Sequence, residues 1–82
     1  MLNEAAVRTW IVKHIAEFLD LPESAISQDQ PFQTFGLDSA DSILVGGALE
    51  DEFDVEIDAT LFLRNDSIDA LIDDLRRSGF VE

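Results

Sequence analysis

Eighty-two residues with five Lys and Arg against eighteen Asp and Glu carry a formal charge of −13 at pH 7. A chain of this length makes one small domain over residues 1–82, and a field so negative excludes binding to a phosphate backbone by counterion release, so nucleic acid is not an expected partner. Without cysteine there is neither a disulfide framework nor a thiolate metal site, which suits a reducing compartment and makes the cytoplasm the expected location.

The first predicted element is a helix from Glu4 to Leu19, where Val7, Ile11, Ile15, Phe18 and Leu19 recur at helical spacing and Trp10 and His14 widen the stripe. Asn3 is its expected N-cap. Leu21-Pro22 is its expected stop, because Pro disfavours helical geometry in the residue before it. Glu4, Arg8, Lys13, His14 and Glu17 interrupt the apolar residues, so this is neither a signal peptide nor a membrane span, and no membrane is expected as a partner. From Asp20 to Asp38 a long connection holds Pro22, Pro31, Gly36 and many polar residues. Ile26, Phe32 and Phe35 read as anchors that pin it across a helical core.

A second helix is predicted from Ser39 to about Phe53, burying Ile43, Val45, Leu49 and Phe53, with Asp41, Glu50, Asp51 and Glu52 on its other face. Gly46 and Gly47 interrupt it, each at a cost of about 1 kcal/mol relative to Ala. Either another helix approaches closely there, or the missing side chains leave room for a guest or for a partner's backbone. Val55, Ile57, Leu61, Phe62 and Leu63 form a compact apolar segment, read as a short third helix near Ala59 to Leu63 that Thr60 can cap. Asp66 or Ser67 then caps a final helix whose Ile68, Leu71, Ile72 and Leu75 make an i, i+3, i+4, i+7 stripe, and Gly79 stops it. Val55-Glu56-Ile57-Asp58 alternates, but a lone four-residue strand does not stand by itself. The expected fold is all-α, a small bundle of three longer helices and one short one, with a long loop between the first two.

The inventory of reactive groups argues against an enzyme. His14 is the one imidazole, no nucleophile elbow is present, and no second His or Cys exists to share a metal with it. The acidic stretch from Asp51 to Asp58 fails the EF-hand grammar: counted from Asp54, the sixth residue is Ala59 and the twelfth Asn65, where Gly and Glu are required. What stands out is Phe35-Gly36-Leu37-Asp38-Ser39. Gly36 allows a tight turn, Asp38 can cap the helix that follows, and Ser39 falls in its first turn, a reachable hydroxyl at a helix mouth. Two readings stand side by side. Asp38 and Ser39 are capping residues and the acidity keeps the chain soluble, or Ser39 is modified by another enzyme and the acidic helix docks on basic partners.

These residues resemble the acyl carrier proteins of fatty-acid and polyketide synthesis, over nearly the whole chain. Phe35 to Ser39 looks like the attachment motif, and Ile43, Val45, Leu49-Glu50, Phe53, Val55 and Ile57 are placed as in the family's second helix and the segment after it. Thr60-Leu61-Phe62-Leu63 and Ser67-Ile68 are similar to the third-helix and fourth-helix pattern of polyketide-type carriers. The resemblance implies that Ser39 receives 4′-phosphopantetheine from coenzyme A, with Gly36, Leu37 and Asp38 completing the cofactor-binding motif. The arm's thiol then holds acyl or polyketide intermediates as thioesters. Implied partners are a phosphopantetheinyl transferase, acyl-loading enzymes, and ketosynthase and acyltransferase enzymes with basic patches. They would meet Ala40, Asp41, Leu44, Gly47, Glu50, Asp51 and Glu52, and a sequestered acyl chain would lie among Ile43, Gly46, Leu49, Phe53, Leu61, Ile68 and Leu71.

The chain departs from the family pattern at several points. Ala40 stands where a larger apolar residue is usual, Leu44 where fatty-acid carriers often have an acid, Gly46-Gly47 where bulkier residues are usual, and Asp66 in place of a common proline. A polyketide or other specialised pathway is therefore the expectation. Alternatives are an aminoacyl or peptidyl carrier, whose motif more often has a second Gly where Leu37 stands, and an unmodified acidic adaptor. Length and Met1 lead to the expectation of a freestanding protein, and a monomer is expected.

Overall fold

A computed structural model describes residues 2–57 and 60–82. Four helices follow in chain order: α1 over Glu4–Leu19, α2 over Ser39–Phe53, α3 over Leu61–Arg64 and α4 over Ile68–Arg77, with no strand among the described residues. This is the all-α bundle of three longer helices and one short one. Each longer helix opens on a side-chain oxygen that accepts a first-turn N–H, which otherwise has no intrahelical partner: Asn3 from Ala6 at 3.0 Å, Asp38 from Asp41 at 2.9 Å and Ser67 from Ala70 at 3.1 Å.

α1 has the expected bounds, Glu4–Leu19, but its stop is made by a different residue. α1 stops at Asp20, which adopts a left-handed φ of +56°, and the N–H groups of Asp20 and Leu21 turn back onto the carbonyls of Glu17 and Ala16 at 3.3 and 2.8 Å. Asp tolerates this conformation better than most residues, so Pro22 follows a stop already made. α3 begins at Leu61; the expected start at Ala59 lies outside the described residues. Thr60 makes no side-chain cap to α3, its Oγ1 instead accepting from Arg64 Nη1 at 3.5 Å.

The core is Val7, Ile11 and Ile15 of α1, Val45 and Leu49 of α2, Leu61 and Phe62 of α3, and the whole stripe Ile68, Leu71, Ile72 and Leu75 of α4. Three residues expected to be buried are not. Phe18 is exposed while Leu19 is half-buried, because the four-residue step Val7, Ile11, Ile15 continues to Leu19. Ile43 is 49% exposed and Ser42 takes the buried place, since consecutive helical residues diverge by about 100° and the inward direction is set by Ser42, Val45 and Leu49. Phe53 is half-buried, edge-on to Trp10 at 5.9 Å, and Trp10 stacks its other contact on His14 at 4.6 Å.

The loop between α1 and α2 makes 3₁₀ turns over Glu23–Ala25 and Phe32–Phe35. Ile26 and Phe32 anchor it as expected, with Phe35 half-buried, and the backbone stitches it to α4: Phe32 donates to Asp66 at 2.7 Å and Asp69 to Gln28 at 2.9 Å. α1 and α4 run antiparallel, with the first turns of α1 tied along α4: Glu4 pairs with Arg76 near the end of α4, and Arg8 with Asp69, at 2.6 Å, near its start. Beside the first pair, Leu2 and Val81 form a parallel bridge, with Leu2 donating to Phe80 and Glu82 donating to Leu2 at 2.9 and 3.1 Å. No local sequence signal announces this pairing.

α3 is fastened to α4 by Asp74, which accepts from Arg64 Nε at 2.8 Å and from the buried Asn65 at 2.7 Å. These hydrogen bonds, Arg64's foremost, hold the Asp74 carboxyl down at about 2. A depressed carboxyl contributes stability that is complete above its unfolded value and lost as pH falls through its folded one. The unfolding free energy of the parent should therefore decline between about pH 4 and pH 2 more steeply than that of Asp74→Asn, a difference that urea titrations across this range will measure.

Candidate functional site

Ser39 owes its position to the four residues before it. After the Phe32–Phe35 turn, Gly36 takes a φ of +89°, and its N–H closes onto Gln33 at 3.0 Å. A Cβ at Gly36 would meet nothing within 4 Å, so backbone conformation and not space requires glycine there. Leu37 then turns inward, 1% exposed, its N–H bonded to Phe32 at 3.1 Å. Asp38 begins α2 with a reciprocal box: its Oδ1 accepts from Asp41 N at 2.9 Å while Asp41 Oδ2 accepts from Asp38 N at 3.3 Å. The Ser42 hydroxyl donates to the Asp38 carbonyl at 2.9 Å. With Leu37 buried and Asp38 capping, Ser39 and Ala40 emerge exposed on the first turn.

Beside Ser39 lies a cleft of about 260 Å³ between the 3₁₀ turn and the α3–α4 junction, whose polar lining includes Gln33, Ser42, Asn65 and Asp66 and whose apolar lining includes Pro31, Phe32, Leu37, Phe62 and Leu63. Further along α2 is a smaller apolar cavity of about 140 Å³, lined by Ile43, Gly46, Gly47, Glu50, Ile57, Leu61 and Phe62. Of the seven residues expected to surround an acyl chain, Ile43, Gly46 and Leu61 meet at this cavity. Leu49, Ile68 and Leu71 are instead fully buried in the core, and Phe53 faces Trp10. Periodicity marks all of these as apolar and inward, and it does not separate the packed centre from its rim. Gly47, Glu50, Ile57 and Phe62 were absent from that expectation; the paired glycines were the one local signal of space on this side.

The seven docking candidates are spread around α2. Ala40, Leu44, Gly47 and Asp51 are exposed, Leu44 at 63%. Asp41 is engaged in the capping box, and Glu50 turns toward the segment before α3, its Oε2 accepting from Ile57 N at 3.3 Å. Asp51 and Glu52 border a groove against α1 with Trp10, Lys13, His14 and Glu17. The surface of α2 is therefore more apolar than its acid count suggests: Ile43 and Leu44 are exposed, as is Leu63 of α3. Among the described residues no cluster of ligating side chains could hold a metal, and no helix is long and apolar enough to cross a membrane.

Residues 9–75 match the family model described as phosphopantetheine attachment site. The chain is 38% identical over 65 residues to the acyl carrier protein TtuC of Teredinibacter turnerae, a match covering 79% of this chain and 75% of that one. It is 33% identical over 64 residues to the polyketide synthase PksM of Bacillus subtilis, covering 78% of this chain and 2% of that much longer protein. The fold is similar to the crystal structure of a free-standing peptidyl carrier protein from an Acinetobacter baumannii secondary metabolic pathway, with a TM-score of 0.79, 30% identity, and 93% and 95% of the two chains covered. A capped helix presenting an exposed serine and a match across most of the bundle lead to one conclusion: the chain belongs to the phosphopantetheine-binding carrier family. It is a carrier and not itself an enzyme, its cofactor is covalently attached 4′-phosphopantetheine, and carriers of this family are modified by a phosphopantetheinyl transferase and work with synthase enzymes.

The first turn of α2 fits such a group. Its N–H groups and the helix dipole favour a phosphodiester at the position of the Ser39 hydroxyl, and the adjoining cleft is lined by the exposed Gln33 amide. Removing the cap should loosen this turn. Asp38→Ala is expected to lower the unfolding free energy by about 1 kcal/mol, measurable by urea denaturation followed by circular dichroism.

Proposed function

We propose that Ser39 is the attachment residue and that residues 1–82 act as one carrier domain for acyl thioesters in a polyketide-type or other specialised biosynthetic pathway. The observation that carries this reading is the exposure of Ser39 on the first turn of α2, held there by the inward turn of Leu37. In the attachment step the Ser39 oxygen forms a bond to the phosphorus bearing the pantetheine of coenzyme A, adenosine 3′,5′-bisphosphate departs, and the serine proton passes to a base on the transferase. The attached arm supplies the thiol that this chain lacks. Ala40, Leu44, Gly47 and Asp51 are the docking surface, where exposed apolar contact sits within an acidic field that speeds encounter with basic partners. The tip of the acyl chain lies in the cavity beside Gly46. The carrier works as a monomer in the cytoplasm.

Transport of aminoacyl or peptidyl thioesters is a second reading, favoured by the likeness to a peptidyl carrier at a TM-score of 0.79. Leu37 in the place of a second motif glycine and the acyl carrier TtuC among the relatives support the acyl reading. The two are separated by offering the loaded arm to acyltransferase and adenylation enzymes and identifying the thioester formed.

Incubation with coenzyme A, magnesium and a broad-specificity transferase should add one phosphopantetheine to the parent and none to Ser39→Ala, read by intact-protein mass spectrometry. A folded parent that accepts nothing from several transferases would turn the assignment to an acidic adaptor domain. Once the carrier is loaded with a hexanoyl group, Gly46→Leu should expose the thioester to hydrolysis several-fold faster than the parent. Gly46 itself lines the cavity, and a Cβ there would stand 3.3 Å from the Phe62 ring, so a leucine takes up space at this wall.

A further inference from the structure

Phe62 lines both the cleft of mixed polar and apolar lining at Ser39 and the mainly apolar cavity beside Gly46. Its ring is 4% exposed, lies 5.7 Å from the ring of Phe32 on one side, and on the other rests so near the bare α-carbon of Gly46 that a Cβ there would stand 3.3 Å away. One aromatic side chain thus stands between two spaces of different character. On the near side are Gln33, Asn65 and Asp66; on the far side are Ile43, Ile57 and Leu61. We infer that Phe62 is the end wall that limits how much of an acyl chain this carrier covers.

The inference rests on the proposed seating of the acyl tip beside Gly46 and adds a limit to it. A cavity of about 140 Å³ matches the engineered apolar cavities of about 150 Å³ that take a single benzene, so a linear group of about six carbons fills it. Extending further requires displacing Phe62 from the contact with Phe32, and the methylenes gained must first offset the re-exposure of a buried aromatic ring. Beyond the ring lies the cleft at Ser39, of mixed lining, where the arm itself would sit and where Gln33, Asn65 and Asp66 would face any additional methylenes. The carrier therefore matches short, apolar acyl groups, and longer saturated chains leave their excess carbons in water. Gly46 is part of the same device, because a Cβ there would stand 3.3 Å from the ring and push it aside by a few tenths of an ångström.

Holo protein, its Ser39 modification verified by mass, is loaded with butanoyl, hexanoyl, octanoyl and decanoyl groups, and two quantities are read: the rate of thioester hydrolysis and the amide NMR shifts of Gly46, Ile57 and Leu61. In the parent, protection and shifts should grow up to hexanoyl and then level off. In Phe62→Ala the two spaces merge, and protection should keep growing through decanoyl by several-fold. Phe62→Leu, which keeps apolar bulk in the core, should move the plateau in the same direction by less and serves if the alanine variant does not fold. Protection in the parent that rises steadily to decanoyl, or an unchanged plateau in a folded Phe62 variant, would overturn the wall. Absence of protection at every length in a loaded parent would overturn the cavity and the wall together while leaving the carrier role standing. Failure of Ser39 to accept the arm, visible in the mass before any loading, would remove the carrier reading itself and with it any tethered chain to measure.

Discussion

The inward turn of Leu37 is the constraint on which the arrangement around Ser39 depends. Leu37 is almost fully buried two residues before an exposed serine, and the chain achieves this reversal through the left-handed turn at Gly36 and the capping box between Asp38 and Asp41. Burying a leucine side chain is worth about 1.5–3 kcal/mol, enough to hold the entry to α2 in one position. Once that entry is fixed, the direction of Ser42, Val45 and Leu49 into the core sets the rotation of α2. That rotation in turn decides which side chains meet a partner, which line the cavity and which pack on α1.

Charge is distributed as unevenly as burial. Arg8, Arg64, Arg76 and Arg77 form ion pairs with Glu4, Asp69, Asp73 and Asp74 along α1, α3 and α4. Individually such surface pairs contribute little to stability. Their collective effect is electrostatic: they gather most of the chain's positive charge on α1, α3 and α4, while α2 from Ser39 to Phe53 contains no Lys or Arg at all. The negative field is consequently least compensated on the helix that presents Ser39. Asp41 and Glu50 spend part of their hydrogen-bonding capacity on the backbone of Asp38 and Ile57, so acids that look like a docking face in the sequence also hold α2 to the segments on either side of it.

Much of this was legible before the fold was known. Asn3, Asp38 and Ser67 are short polar residues ahead of apolar periodicity, and each proves to be a cap whose local chemistry does not depend on distant packing. The stripe on α4 is equally unambiguous, since all four of its residues are buried. The rotation of α2 was harder to read. Ser42 is polar and Ile43 apolar, so hydrophobicity nominates the wrong neighbour; the serine is buried because its hydroxyl has the Asp38 carbonyl to donate to. Leu37 was read as part of an attachment motif, and its role as an anchor emerges only with the loop folded across the core. The cavity eluded periodicity for a related reason: Phe62 and Ile57 come from outside α2, and Glu50 lines it with a polar side chain. The bridge between Leu2 and Val81 joins residues at opposite ends of the chain, for which no local pattern exists.

The aromatic cluster where α1 meets the end of α2 gives the molecule a built-in optical probe. Trp10 is the one tryptophan in the chain; its indole contacts Phe53, the last residue of α2, and stacks on His14. Any displacement of the far end of α2 relative to α1 changes the surroundings of this fluorophore. The motion of the serine-bearing helix can therefore be followed by intrinsic emission in the unlabelled protein, at the end of that helix remote from where an arm would be attached.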